Sequence, residues 1–319
     1  MLKVVIVGYG EMFTNLIAAT LDAGCEVVGI LRGETIKHLK VVKKIKDIFN
    51  PSVEYSYIKS YKLHEIEANS VNSKEFRKQL IKLNPDIMLV GSWGEKFSKE
   101  TFNIPKIATI NVHPSLLPKY RGPNPYFWVL KNREKATGVT FHLMDEGLDT
   151  GAILAQEEVE ILPTDTGKSL KERVVLTARG VACELLKDLS EDVIIPLQQR
   201  EDRASYFSHP EGLELNFSNS SEENYALIRA AYPWVETYFY HNITALTPDY
   251  KNVSIVDNNT NYKEPGTIVE CDATTKTIAV LCSDDKILRL SNLSLLKKQD
   301  RYFTKNYIEL DVKVGDIIY

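Results

Sequence analysis

Residues 2–8, LKVVIVG, form an almost wholly apolar run that enters a glycine-punctuated turn, GYGEMF (8–13), and then helical periodicity, TNLIAATLDAG (14–24). A strand that is apolar at nearly every position must be covered on both faces, and such strands belong to parallel sheets flanked by helices. The pattern recurs along the chain. CEVVGIL (25–31), DIMLVG (86–91) and KIATINV (106–112) read as further buried strands. IKHLKVVKKIKDIF (36–49) and NSKEFRKQLIKLNP (72–85) read as helices, the second with Asn72 or Ser73 placed to cap it and Pro85 just beyond its end. Strands alternating with helices predict an α/β fold with a doubly wound, Rossmann-like, mostly parallel sheet.

After residue 138 the texture shifts to a strand pair, VTFHLMD (139–145) and GAILAQEEVEI (151–161), and a long helix over roughly 166–189. Periodicity is lost in QQREDRASYFSHPEG (198–212). This predicts a catalytic domain over 1–200, a linker over 201–220 and a second domain over 221–319. The second domain opens with a helix, SEENYALIRAA (221–231), and continues in short β-rich pieces, GTIVEC (266–271), TIAVLC (277–282), ILRLSNLSLL (287–296) and GDIIY (315–319). Short strands separated by turn residues suggest a small OB-like barrel.

Composition narrows the function classes. The 319 residues are 44% hydrophobic and 26% charged, a globular balance at two-domain length. A net charge of −4 and a pI near 6.0 weigh against a dedicated nucleic-acid binder. Cys25, Cys183, Cys271 and Cys282 show no C-x-x-C spacing, so they read as core thiols of a reducing compartment rather than zinc ligands or a disulfide frame. The start has too short an apolar run for a signal peptide, and no run reaches membrane-spanning length. The expectation is a cytoplasmic protein without metal.

The turn at Gly8 and Gly10 lies where phosphate-binding loops lie, between a strand and a helix. A dinucleotide fingerprint would want glycine or alanine where Phe13 stands, and an acid where the second strand ends in Arg32. A nicotinamide cofactor, an anionic part of another substrate and a plain tight turn all remain open readings.

Chemistry concentrates in INVHPSLLPKYRG (110–122). Asn111 and His113, two apart at a strand end, project to one face of the sheet, into the crevice where open α/β sheets bind ligands. Four prolines within PSLLPKYRGPNP stiffen the loop that follows. Downstream, MDEGLDTG (144–151) offers Asp145 and Asp149. An amide N–H and a protonated imidazole can stabilise an oxyanion, while a carboxylate orients the histidine and relays a proton.

NVHPSLLPKYRG followed by GVTFHLMDEGLDTG resembles the folate-dependent formyltransferases, with the L-D-T-G loop's Asp 38 residues after the Asn. The likeness runs over residues 1 to about 200 and, more loosely, into AAYPW…PGTIVE of the tail, which is similar to that of methionyl-tRNA formyltransferase and its relatives. The resemblance implies 10-formyltetrahydrofolate as donor, attack by an acceptor amine, Asn111 and His113 as oxyanion donors, Asp149 as the proton-handling group, and no metal. It implies a folate-lining set of Trp93, Gly94, Lys96, Phe97, Leu116, Met144, Asp145, Glu146 and Gly147, with Gly8, Gly10, Met12 and Asn124 near the acceptor. The stretch YRGPNPYFW (120–128) looks more like amino-sugar enzymes than tRNA-directed ones. The acceptor so implied is a UDP- or dTDP-linked amino sugar. Initiator methionyl-tRNA is the alternative, and formyltetrahydrofolate hydrolysis comes third; the lysines of KHLKVVKKIK (37–46) read first as a solvated helix face and second as a contact for tRNA. For the second domain the resemblance leaves acceptor binding, homodimer formation, or both.

Overall fold

The computed structural model describes residues 1–33, 52–191, 194–211, 213–242, 244–299, 302–306 and 312–318. The helix expected over 36–49, with its lysines, lies outside the described residues. The chain divides into two compact units. The first comprises Met1–Pro125, Ala136–Glu160 and Lys171–Ser208; the second comprises Tyr126–Lys135, Ile161–Leu170 and His209–Tyr319.

The first unit is built on a six-stranded sheet: β1 (Lys3–Gly8), β2 (Glu26–Arg32), β3 (Ile87–Gly91), β4 (Ala108–His113), β5 (Ala136–Leu143) and β6 (Ile153–Glu160), in the order β2-β1-β3-β4-β5-β6. The first four strands pair in parallel, whereas β5 runs antiparallel to both its neighbours, β4 and β6. The mostly parallel α/β sheet expected from the apolar runs is therefore present. Val4, Val5, Ile6 and Val7 are all fully buried, which is why that run tolerates no polar alternation. The edge strand β6 behaves oppositely and exposes Glu157, Glu158 and Glu160, charges that discourage pairing with another sheet.

Helices cover the sheet where their caps and periodicity allow. Helix α1 (Gly10–Asp22) begins four residues earlier than periodicity predicts, because Gly10 adopts a positive φ and the carboxylate of Glu54 accepts its N–H at 2.9 Å. Glu54 lies in the first turn of α2 (Val53–Ser60), itself capped by Ser52. Helix α3 (Lys74–Leu83) is capped by Ser73, whose side chain accepts the Phe76 N–H, and ends at the left-handed Asn84 before Pro85. It buries Phe76 and Leu80, four apart on one face, in a core with Val5, Val7, Met88 and Val90. Complete burial of such side chains stabilises by roughly 1.5–3 kcal/mol each. After β3 come the short α4 (Lys99–Phe102), α5 (Pro125–Lys131) and the long α6 (Gly167–Ser190).

The polar stretch after α6, aperiodic in sequence, is fastened to the first unit as far as Ser208. Leu197 exchanges backbone hydrogen bonds with Ile153, and Arg121 with Ser205 and Phe207. In the second unit, α7 (Ser221–Ala231) opens on a Ser220/Glu223 capping box. The second unit is β-rich as expected. Its described strands form two four-stranded antiparallel sheets: β9 (Val253–Asp257) with β10 (Ile268–Asp272), β11 (Thr277–Leu281) and β12 (Lys286–Leu290), and β7 (Phe239–His241) with β8 (Thr244–Thr247), β13 (Ser294–Gln299) and β14 (Tyr302–Asn306). The run 287–296 thus splits between two strands rather than forming one. Among the described residues no helix is long and apolar enough to cross a membrane, and no cluster of His, Cys, Asp or Glu could hold a metal.

Candidate active site

Strand β4 delivers Asn111 and His113, and its antiparallel register with β5 sets Asn111 opposite His142 and His113 opposite Thr140. The proline-rich loop after β4 is pinned from within. Ser115 donates to the Lys119 carbonyl at 2.7 Å, and buried Thr140 donates to the Ser115 carbonyl at 2.6 Å while accepting the Leu117 N–H at 3.2 Å. This aims the Tyr120 carbonyl at His113 Nε2, 2.8 Å away. A carbonyl can only accept, so Nε2 carries a proton and Nδ1 is the ring atom that faces the site.

Nδ1 lies 3.5 Å from Asp149 Oδ2, which also accepts the Gly122 N–H at 2.9 Å. The other oxygen, Oδ1, accepts from Asn111 Nδ2 at 3.3 Å and lies 3.6 Å from His142 Nε2. His142 spends its Nδ1 proton on the Leu143 carbonyl at 2.9 Å, leaving Nε2 to accept the second Asn111 amide proton at 3.1 Å. Asn111, His113, Gly122 and His142 thus surround one carboxylate. The three residues read from the sequence as a catalytic set come together. His142 escaped that reading because its place opposite Asn111 depends on strand register, and its local string VTFHLMD reads as an ordinary strand.

Burial pushes the His113 imidazole below its ordinary value against the pull of Asp149 and the Tyr120 carbonyl, with His142 adding to the downward side. Burial pushes Asp149 upward, but the attraction of His113, the nearby His142 ring and the Gly122 N–H outweigh it and hold the carboxyl at about 2. The site therefore holds an ionised carboxylate enclosed by donors. Asp149 takes a positive φ of 56°, and a Cβ on Gly151 would lie 1.8 Å from the Leu143 carbonyl oxygen, so the L-D-T-G loop admits no bulk there.

The loops expected to line the folate also meet. Lys96 donates to the Glu146 carbonyl at 2.6 Å, and Trp93 and Met144 pack against the core that includes Phe97. Asp145 closes its own turn, accepting from the Gly147 N–H at 2.9 Å and Thr150 Oγ1 at 2.6 Å. The indole Nε1 of Trp93 is buried with no hydrogen-bond partner among the described residues. Gly94 is exposed, and Leu116 packs against Gly138, where a Cβ would meet its Cδ2 at 2.5 Å. The expected acceptor residues are dispersed. Gly8 serves sheet packing, since a Cβ there would lie 2.2 Å from the Gly91 carbonyl oxygen; Met12 is core; and the Gly10 N–H holds Glu54. Asn124 is exposed in a left-handed conformation just before α5.

Comparison with known proteins agrees with this architecture. Residues 2–183 match the formyl transferase family and residues 208–303 its C-terminal domain. The methionyl-tRNA formyltransferase of Caldanaerobacter subterraneus is 30% identical over 243 residues, 76% of this chain and 77% of that one. The methionyl-tRNA formyltransferase of Clostridioides difficile is 28% identical over 328 residues, covering 98% and 100%. Among solved structures, an N-formyltransferase from Helicobacter canadensis in complex with folinic acid and dTDP-3-aminofucose superposes with a TM-score of 0.66 at 19% identity, over 91% of this chain and 99% of that one, a likeness of fold. With both domains matched and the sheet in agreement, the chain belongs to the formyl transferase family and is a formyl-transferring enzyme.

Proposed function

We propose that the chain moves a formyl group from 10-formyltetrahydrofolate to the primary amine of a UDP- or dTDP-linked amino sugar by direct amine attack. The observation that carries the reading is the convergence of Asn111 Nδ2 and His113 Nδ1 on the two oxygens of Asp149. An amide donor and an imidazole nitrogen already aimed at a negative oxygen need little reorganisation to serve a second one that develops beside it, the imidazole as a donor once protonated. The donor, when bound, supplies an activated formyl carbon and an amine leaving group. The orphaned Trp93 N–H and the joined 91–97 and 143–149 loops suit a polar heteroaromatic ring in that role.

As the amine bonds to the formyl carbon, the carbonyl electron pair moves to oxygen, where Asn111 Nδ2 donates to it; the same negative charge, with Asp149, favours the imidazolium form of His113, in which Nδ1 donates as well. Asp149 is a weak base at rest. A second negative charge a few ångströms away raises its proton affinity, so it accepts the proton that the attacking nitrogen must lose. When the carbonyl re-forms, the bond to the donor nitrogen breaks and Asp149 returns that proton to the leaving amine.

For the acceptor, the net charge of −4 and the R-G-P-N-P string support a small nucleotide-linked amine over a polyanion that would need many cationic contacts. A second reading, initiator methionyl-tRNA, is favoured by the named sequence relatives. Release of tetrahydrofolate measured against UDP- and dTDP-amino sugars and against charged initiator tRNA separates them. Turnover with tRNA alone overturns the first reading.

A further inference from the structure

The segment 197–207 returns to the first unit and touches both sides of the site. On one side, Ser205 Oγ accepts the Tyr120 N–H at 2.9 Å, its carbonyl accepts the Arg121 N–H at 2.9 Å, and the Phe207 ring stacks on Tyr120 at 4.9 Å. Tyr120 is the residue whose carbonyl orients His113. On the other side, the side chain of Gln199 uses every hydrogen-bonding position it has. Its Oε1 accepts from Arg121 Nη2 at 2.8 Å and Nε at 3.2 Å, and its Nε2 donates to the carbonyls of Asp149 at 2.9 Å and Gly151 at 2.7 Å. Leu197, Gln198 and Arg200 around it are exposed, whereas Gln199 is tucked in. Arg121 is 7% exposed and is held further by Glu201 at 2.6 and 3.0 Å.

We propose that Gln199 is a positioning residue for formyl transfer: it clamps the Asp149 loop to Arg121 and thereby fixes the carboxylate between His113 and Asn111. The geometry admits few substitutes. One amide bridges two carbonyls, one on either side of Thr150, and a guanidinium, which requires two donors and an acceptor in one plane. Arg121 precedes Gly122, whose N–H holds Asp149 Oδ2, so the clamp reaches the carboxylate through its backbone and through its oxygen. Without it, the Asp149 loop, at positive φ, loses two backbone anchors. The proposal rests on the catalytic roles given above to Asn111, His113 and Asp149.

The test uses the full chain with Gln199→Met, which keeps length and removes all four bonds, and Gln199→Glu, which keeps both bonds to Arg121 and removes both donations. Turnover is followed with whichever acceptor the assay above identifies, and the His113 imidazole is titrated by NMR without ligand. The expected kcat falls on the order of 10²-fold in both variants, the loss that follows an ångström-scale misplacement. KM for both substrates stays within about threefold. In Gln199→Met the His113 titration moves further below the ordinary imidazole range, because Asp149, which pulls it upward, is no longer held beside it. An unchanged His113 titration in Gln199→Met overturns the clamp, and an unchanged kcat in Gln199→Glu overturns its part in turnover. Full turnover in Asp149→Asn overturns the catalytic reading instead, and the NMR arm still decides the clamp.

Discussion

Replacing Thr140 by valine tests whether hydrogen bonding or apolar burial governs the frame of the site. Thr140 is fully buried, and valine matches its shape. Burial alone predicts a gain of about 0.8 kcal/mol for exchanging hydroxyl for methyl. The hydroxyl, however, donates to the Ser115 carbonyl at 2.6 Å and accepts from the Leu117 N–H at 3.2 Å and Gln156 Nε2 at 2.8 Å. Gln156 is exposed and can turn to water. The two backbone groups cannot, and each buried orphan costs about 1–3 kcal/mol. The net expectation is a loss of about 3 kcal/mol, which at 2–4 °C per kcal/mol for a unit of this size lowers the melting midpoint by roughly 6–12 °C. Thr140→Ser keeps all three bonds, loses one methyl, and should cost about 1 kcal/mol. Thermal and urea unfolding of the full chain, followed by tryptophan fluorescence, reads both variants. A valine variant as stable as the serine variant would refute the reasoning.

Other consequences follow from the same geometry. In the proposed mechanism Asn111→Ala and His113→Ala each remove one oxyanion donor, so each should lower kcat by roughly 10²–10³ with little change in folate binding, measured by steady-state kinetics and by fluorescence titration of the donor. Asp149 is held at about 2 against an ordinary 3.8, so its contribution to stability, on the order of 2 kcal/mol, is present above pH 4 and lost as pH falls through 2. The lowered His113 works in a higher window: below pH 6.5 the unfolded chain binds that proton more readily than the folded one, so stability declines there as pH falls. Urea midpoints across pH 3–8 should flatten below 4 in Asp149→Asn and just below 6.5 in His113→Asn. Gly122→Ala requires a side chain at φ 95° with its Cβ 2.3 Å from the Phe207 carbonyl oxygen. It should displace the 197–207 segment, costing more than about 2 kcal/mol, visible as faster limited proteolysis near Ser205 and a lower midpoint.

What was legible in the chain was local. Val4–Val7 announce a doubly covered strand because no position can face water, and Asn111 with His113 share a face because strands repeat every two residues. Ser73 caps α3 as its position before the periodic run requires. The features that escaped are those created by distant pairing. His142 gains its place from a register, and Gln199 from contacts with residues 48, 50 and 78 positions away. Gly8 and Gly10 resemble a phosphate loop in sequence, but a neighbouring strand's carbonyl accounts for one and the Glu54 carboxylate occupies the other. Local pattern cannot foresee that an anion site will be filled from within the chain.

The carboxylate of Asp149, ringed by Asn111, His113 and Gly122, is in effect a counter-ion that the protein cannot lose by dialysis. Its tether gives it an effective concentration of millimolar or more at those donors. Free formate, acetate or chloride at lower concentration must compete with that tethered carboxylate. In the proposed mechanism these groups, engaged at rest by a tethered anion, turn to the one generated in place, attached to the carbon being transferred.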